Sequence, residues 1–114
     1  MLRGERRRAD VSLTFVGRDR MRQLNDRFLG RHGVTDVIAF ALAGPAGSQA
    51  ADVYVCPWQV RRAAVRYRVP LRQELVRVII HGVLHGLGHD HPEGAGREAC
   101  PMWRRQERYV EAFA

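Results

Sequence analysis

A chain of 114 residues with 46% apolar and 27% charged positions has the make-up of one folded domain, and it excludes a disordered polyelectrolyte. The formal net charge is +7 and the sequence pI about 10.9, which points to a polyanionic partner, nucleic acid first among them. All 19 basic residues are arginine, spread through the chain as Arg6-Arg7-Arg8, Arg61-Arg62 and Arg104-Arg105, so any basic patch has to be assembled by folding.

Residues 1–9 are charged and expected to be loose. Val11, Leu13 and Phe15 alternate with polar neighbours, the period of a strand. Asp19 is placed to cap a helix through Met21, Leu24 and Phe28. Gly30 and Gly33 open a loop, and Asp36 to Ala41 reads as a second strand. Gly44, Pro45, Gly47 and Ser48 mark a turn-rich connection, after which Asp52 to Cys56 forms a third strand ended by Pro57. Pro57 also suits the first turn of a helix running to about Arg66. After Pro70, Leu71, Leu75, Val78 and Ile79 recur at helical spacing and lead directly into His81 and His85, with a stop at Gly86–Gly88. A last helix, rich in Arg and Glu, covers about Arg97 to Ala112.

The two cysteines, Cys56 and Cys100, make neither a CxxC nor a disulfide framework, and Cys56 reads as a small core residue. The first ten residues lack the apolar stretch of a signal peptide, and no apolar run approaches the roughly 20 residues of a membrane span. The cytoplasm is the expected compartment.

Four of the five histidines fall in His81-Gly-Val-Leu-His85-Gly-Leu-Gly-His89-Asp-His91. On a helix, positions i and i+4 lie one above the other, so the His81 and His85 rings can reach one ion at about 2.0–2.1 Å. Gly86 and Gly88 let the backbone turn back and bring His91 to the same ion. Three neutral imidazoles form a zinc set with one position left open, the arrangement of a catalytic site. Cys100 as a fourth, structural ligand is disfavoured because nothing pairs it with a second thiolate. Asp90 is a candidate to orient one of the imidazoles from behind. Glu74 lies on the same side of the helix about 10 Å away along its axis and reads as structural.

The H-x3-H-x5-H spacing overlaps the metzincin protease pattern, but the position of the protease's general base is Gly82, which cannot accept a proton. Activation of water and of a phosphoryl oxygen remains within reach of such a zinc site, and the basic chain suits a phosphodiester substrate. No general base is evident.

The segment HGVLHGLGHDH resembles the HGxLHLxGYDH signature of the YbeY endoribonuclease family of bacterial rRNA maturation factors. Leu24-Asn25 followed by Thr35-Asp36-Val37-Ile38-Ala39-Phe40 is similar to the family's LN…TDVLSF block, Ala51-Asp52-Val53 to its GDI strand, and Glu74-Leu75 and Met102 also fit, so that the resemblance covers roughly residues 10–110. It implies an α+β fold with a small mixed sheet packed against helices, the His motif lying on a central helix and the turn after it. It also implies one Zn2+ held by His81, His85 and His91, and single-strand-specific endoribonuclease activity. The implied partners are rRNA and the small ribosomal subunit, with roles in 3′-end maturation and ribosome quality control. The chain departs from the family pattern at Leu29, where the family has an Arg, and at Gly86 (Leu), His89 (Tyr) and Ala51 (Gly). An N-terminal strand and helix usual in the family are not expected ahead of Val11. Another zinc hydrolase, such as a peptidase, and a non-catalytic ribosome-associated RNA-binding protein are the rival readings.

Overall fold

The computed structural model describes residues 9–43, 49–89 and 100–113. In chain order the elements are β1 (Ala9–Phe15), α1 (Arg18–Leu29), β2 (Val37–Ala43), β3 (Gln49–Val55), α2 (Pro57–Tyr67), α3 (Leu71–Gly86) and α4 (Pro101–Phe113). The strands form one mixed sheet in the order β1-β3-β2, with β1 parallel and β2 antiparallel to the central β3. This is the α+β architecture with a small mixed sheet expected from the sequence.

The sheet has two apolar faces because alternate residues point opposite ways. Ile38, Phe40 and Tyr54 face α1, where Met21, Leu24 and Cys56 complete a buried cluster. Val53 and Val55 face the other way and pack with Val60 of α2 and with Val78, Val83 and Leu87 of the α3 segment. A third cluster, Ile80 and Leu84 against Met102 and Val110, fastens α4 to the outer side of α3. Helix α3 therefore touches β2, β3, α2 and α4 and is the central helix of the fold. On the edge strand β1 only the first of the three alternating apolar residues joins the core; Leu13 and Phe15 stay exposed.

Helix α3 can lie this close to the sheet because it presents glycine there. A Cβ on Gly82 would fall 2.7 Å from methyl carbons of both Val37 and Val53, and one on Gly86 would fall 2.5 Å from the Ala51 Cβ. Both distances are shorter than non-bonded carbons tolerate, so the close approach depends on the missing side chains.

Several boundaries differ from the sequence expectation. Helix α1 starts at Arg18 with Gly17 as its extended N-cap and no side-chain cap; Asp19 lies inside the first turn, where it favours the helix dipole and pairs with Arg18 at 3.1 Å. Strand β3 begins at Gln49, three residues before the expected Asp52, because its backbone is paired on both sides from that residue onward. Helix α4 begins at Pro101, and the expected start at Arg97 lies outside the described residues, as does the connection at Gly44–Ser48.

Candidate metal centre and its cleft

Helix α3 ends as its glycine signal predicts. The N–H of Gly88 bonds the His85 carbonyl at 3.0 Å, and that of His89 bonds the Leu84 carbonyl at 3.0 Å. This pair of bonds is a Schellman cap, and Gly88 adopts the positive φ of 97° that the motif requires. The chain thus leaves the helix immediately after His85. His91 and Asp90, the expected third ligand and its neighbour, lie outside the described residues.

His81 and His85 stand on the last two turns of α3, both half-buried, with ring centroids 4.7 Å apart and planes at 78°. Two imidazoles bonded to one ion at tetrahedral angles have centroids about 5 Å apart, given metal–nitrogen bonds of about 2.0–2.1 Å. The spacing of this pair fits a shared ion. Among the described residues no group of three or more His, Cys, Asp or Glu side chains comes together as a metal site.

His81 Nδ1 lies 2.6 Å from Gln106 Oε1 on α4. Gln106 is 1% exposed, and its amide nitrogen donates to Glu107 Oε2 at 3.1 Å. Glu107 accepts three close contacts from Arg77: Nε at 3.2 Å and Nη2 at 2.9 Å to Oε1, and Nε at 3.0 Å to Oε2. Arg77 Nη1 also meets the buried Glu74 at 3.0 Å. Glu74 is thus engaged in an ion pair one turn along its own helix.

Burial works to raise the Glu107 carboxyl, but the hydrogen bonds from Arg77 and Gln106 and the Arg77 charge outweigh it and hold the carboxyl below its ordinary value. Arg77 is raised in turn, mainly by its hydrogen bonds to Glu107, against the opposing effect of burial and with help from the charges of both glutamates.

These groups form one wall of an open cleft of about 520 Å³ between α2, α3, α4 and the start of β2. On the opposite side α2 contributes Gln59, Arg62 and Arg66, with Tyr67 and Trp103 at its margins. The Arg62 guanidinium lies 4.6 Å from the centre of the Trp58 ring, which Arg18 approaches at 5.4 Å. The cleft therefore brings two exposed arginines together with His81, a combination suited to holding an anionic chain.

The general-base position of the metzincin pattern is closed for a physical reason: a side chain at Gly82 would be driven into Val37 and Val53 of the sheet. Leu29, at the departure from the family Arg, is exposed at the end of α1, and no residue of α1 lines the cleft. The sequence reading did not single out Arg66, Arg77, Gln106 or Glu107. A signal for the cleft wall was present, since 59, 62, 63 and 66 form one stripe of α2. Nothing in the sequence joined Gln106 to a histidine 25 positions away.

A family model described as Endoribonuclease YbeY matches residues 2–114. An Endoribonuclease YbeY of Thermotoga sp. (strain RQ2) is 36% identical over 101 residues, covering 89% of this chain and 65% of the relative. One from Bdellovibrio bacteriovorus is 31% identical over 113 residues, covering 99% of this chain and 73% of the relative. The solution structure of TM1509 from Thermotoga maritima superposes with a TM-score of 0.60 at 32% identity, over 91% of this chain and 67% of that one. The chain spans about 65% of the length of the Thermotoga relatives. With its matched length, its mixed sheet and its histidine helix, this chain belongs to the YbeY family.

Proposed function

We propose that this chain is a metal-dependent endoribonuclease that cuts single-stranded RNA, with rRNA at the 3′ end of the small-subunit transcript as its substrate and ribosome maturation and quality control as its setting. The observation that carries this reading is that His81, its ring 4.7 Å from that of His85, lines a cleft that Arg62 and Arg66 also line. Family membership supports the reaction class.

In this reading His81, His85 and His91 hold one zinc ion, and Asp90 supports one of the imidazoles. When bound, such an ion supplies Lewis-acid activation of water and of a phosphoryl oxygen. The chain's own residues do the rest. Arg62 and Arg66 take the RNA phosphates, and the aromatic faces of Tyr67 and Trp103 offer stacking surfaces for unpaired bases. A base can lay its face on such a side chain only when it is free of its duplex neighbours, which would favour single strands. A cytoplasmic location fits such a substrate; no helix among the described residues is long and apolar enough to cross a membrane.

Leu29 favours a second reading, a ribosome-associated protein that binds RNA without cutting it. One experiment separates the two: metal analysis of the purified protein, with cleavage of a single-stranded RNA assayed with and without chelator. Stoichiometric zinc and chelator-sensitive cleavage support the endoribonuclease. Bound zinc with RNA binding and no cleavage selects the second reading, and cleavage without bound metal overturns the metal role.

A further inference from the structure

We propose that Gln106 is a positioning residue that holds His81 in the Nδ1–H tautomer and so turns the Nε2 lone pair toward the metal. The inference rests on reading His81 as a ligand.

Glu107 sets the orientation of its neighbour. Its carboxylate receives Arg77 through contacts of 2.9–3.2 Å and is an ionised acceptor with no proton to give. The Gln106 atom that lies 3.1 Å from it must then be the amide nitrogen, since two oxygens there would repel. This fixes the orientation of the Gln106 amide, which the position of the heavy atoms alone leaves ambiguous. Its oxygen faces His81 Nδ1 at 2.6 Å, and an amide oxygen can only accept. The proton of the neutral imidazole therefore sits on Nδ1, and the lone pair sits on Nε2.

In water the Nε2–H form of a histidine side chain predominates, so the tautomer deduced here is one the protein has to impose. The arrangement is a closed circuit that starts and ends on α3: Arg77, across to Glu107 and Gln106 on α4, and back to His81, one helical turn beyond Arg77. Ligand histidines in metal proteins characteristically donate their second ring N–H to such an acceptor, which fixes the ring and makes the bonding nitrogen more basic. The full burial of Gln106 is consistent with this role, because a buried amide must have both of its ends satisfied, and here both are.

The test uses the full chain and the near-isosteric Gln106→Met, which keeps the volume and removes both polar atoms. Nitrogen-15 spectra of the metal-free imidazoles read the tautomer directly, and zinc titration against a competing chelator reads affinity. Wild type is expected to show His81 protonated on Nδ1. Gln106→Met should move His81 toward the Nε2–H form and weaken zinc by about 10- to 100-fold. If Gln106→Met does not fold, Glu107→Gln removes the charged acceptor from a partly exposed position and should shift the tautomer and affinity in the same direction. His81 found as Nε2–H in wild type, or zinc bound equally by wild type and a folded variant, overturns the inference. A wild type that binds no zinc fails differently: it refutes the ligand reading itself, and the positioning role falls with it.

Discussion

Gly86 on α3 rests directly on Ala51 of the central strand, so that a Cβ added at 86 would come within 2.5 Å of the Ala51 methyl group. The family pattern has Leu and Gly at these two positions, and this chain has Gly and Ala. The next neighbour of a Cβ at 86 is the Ala51 Cα at 3.9 Å, an ordinary contact, so among the described residues the Ala51 methyl group is what stands in the way.

The expectation is a strong coupling between the two sites. Gly86→Ala alone should destabilise the fold by about 1–3 kcal/mol through overpacking, although Ala is the better helix former. In an Ala51→Gly background the same change should be nearly neutral or stabilising. Urea unfolding of the four proteins gives the interaction energy, expected at about 1 kcal/mol or more in favour of the double variant. Additive effects would show that the two positions do not confront each other.

Arg62 and Arg66 are expected to bind RNA through charge. Each substitution by Ala should lower the affinity for a single-stranded oligonucleotide and reduce the slope of log K against log salt by about 0.7, the value for one phosphate contact on a single strand. Zinc content should not change. Fluorescence anisotropy at several salt concentrations measures the slope, and a slope unaltered in the double variant would place the RNA elsewhere.

Glu107 predicts an acid limb of stability. Its folded carboxyl is held below the ordinary value of 4.5, so its contribution is fully present above that pH and is lost as pH falls through the lower, folded value. Glu107→Gln should therefore lose stability relative to wild type at neutral pH, with the gap narrowing below about pH 4.5. Thermal melts from pH 3 to 7 would show it, and a constant gap would mean that the charge does not matter. Arg77 is raised, so its own contribution is lost only under strongly alkaline conditions, outside this range.

Arg68 ends α2 with φ 56° and ψ 44°, the left-handed conformation, and is the one described non-glycine residue with positive φ. A side chain there costs roughly 1 kcal/mol or more, so Arg68→Gly should raise the unfolding free energy by about 1 kcal/mol. A lower melting temperature would indicate that Arg68 makes a compensating contact.

The histidine helix was legible because its signal is local: two histidines four apart and a glycine turn need no knowledge of the rest of the chain. The strands and helices were legible for the same reason, since Val11, Leu13 and Phe15, or Leu71, Leu75, Val78 and Ile79, carry their period with them. Strand ends were less so, because β3 is extended back to Gln49 by pairing with two other strands and not by its own residues. The least legible parts were relationships across the fold. Gly82 reads as the glycine at a protease's general-base position, and Gly86 as a turn residue, until the sheet is brought against them. Gln106 reads as one polar position of an Arg-rich helix until α4 is laid on α3.

That last helix is attached chiefly through α3, by a strip of apolar residues and the single buried amide at its middle. Thermodynamic reciprocity then gives α4 a stake in what happens at the histidines. Whatever affinity its docking lends to a bound ion, the ion must return as protection of α4 against opening, so amide hydrogens near Gln106 should exchange more slowly once metal is present. Helix α4 would thereby report occupancy of the proposed metal centre.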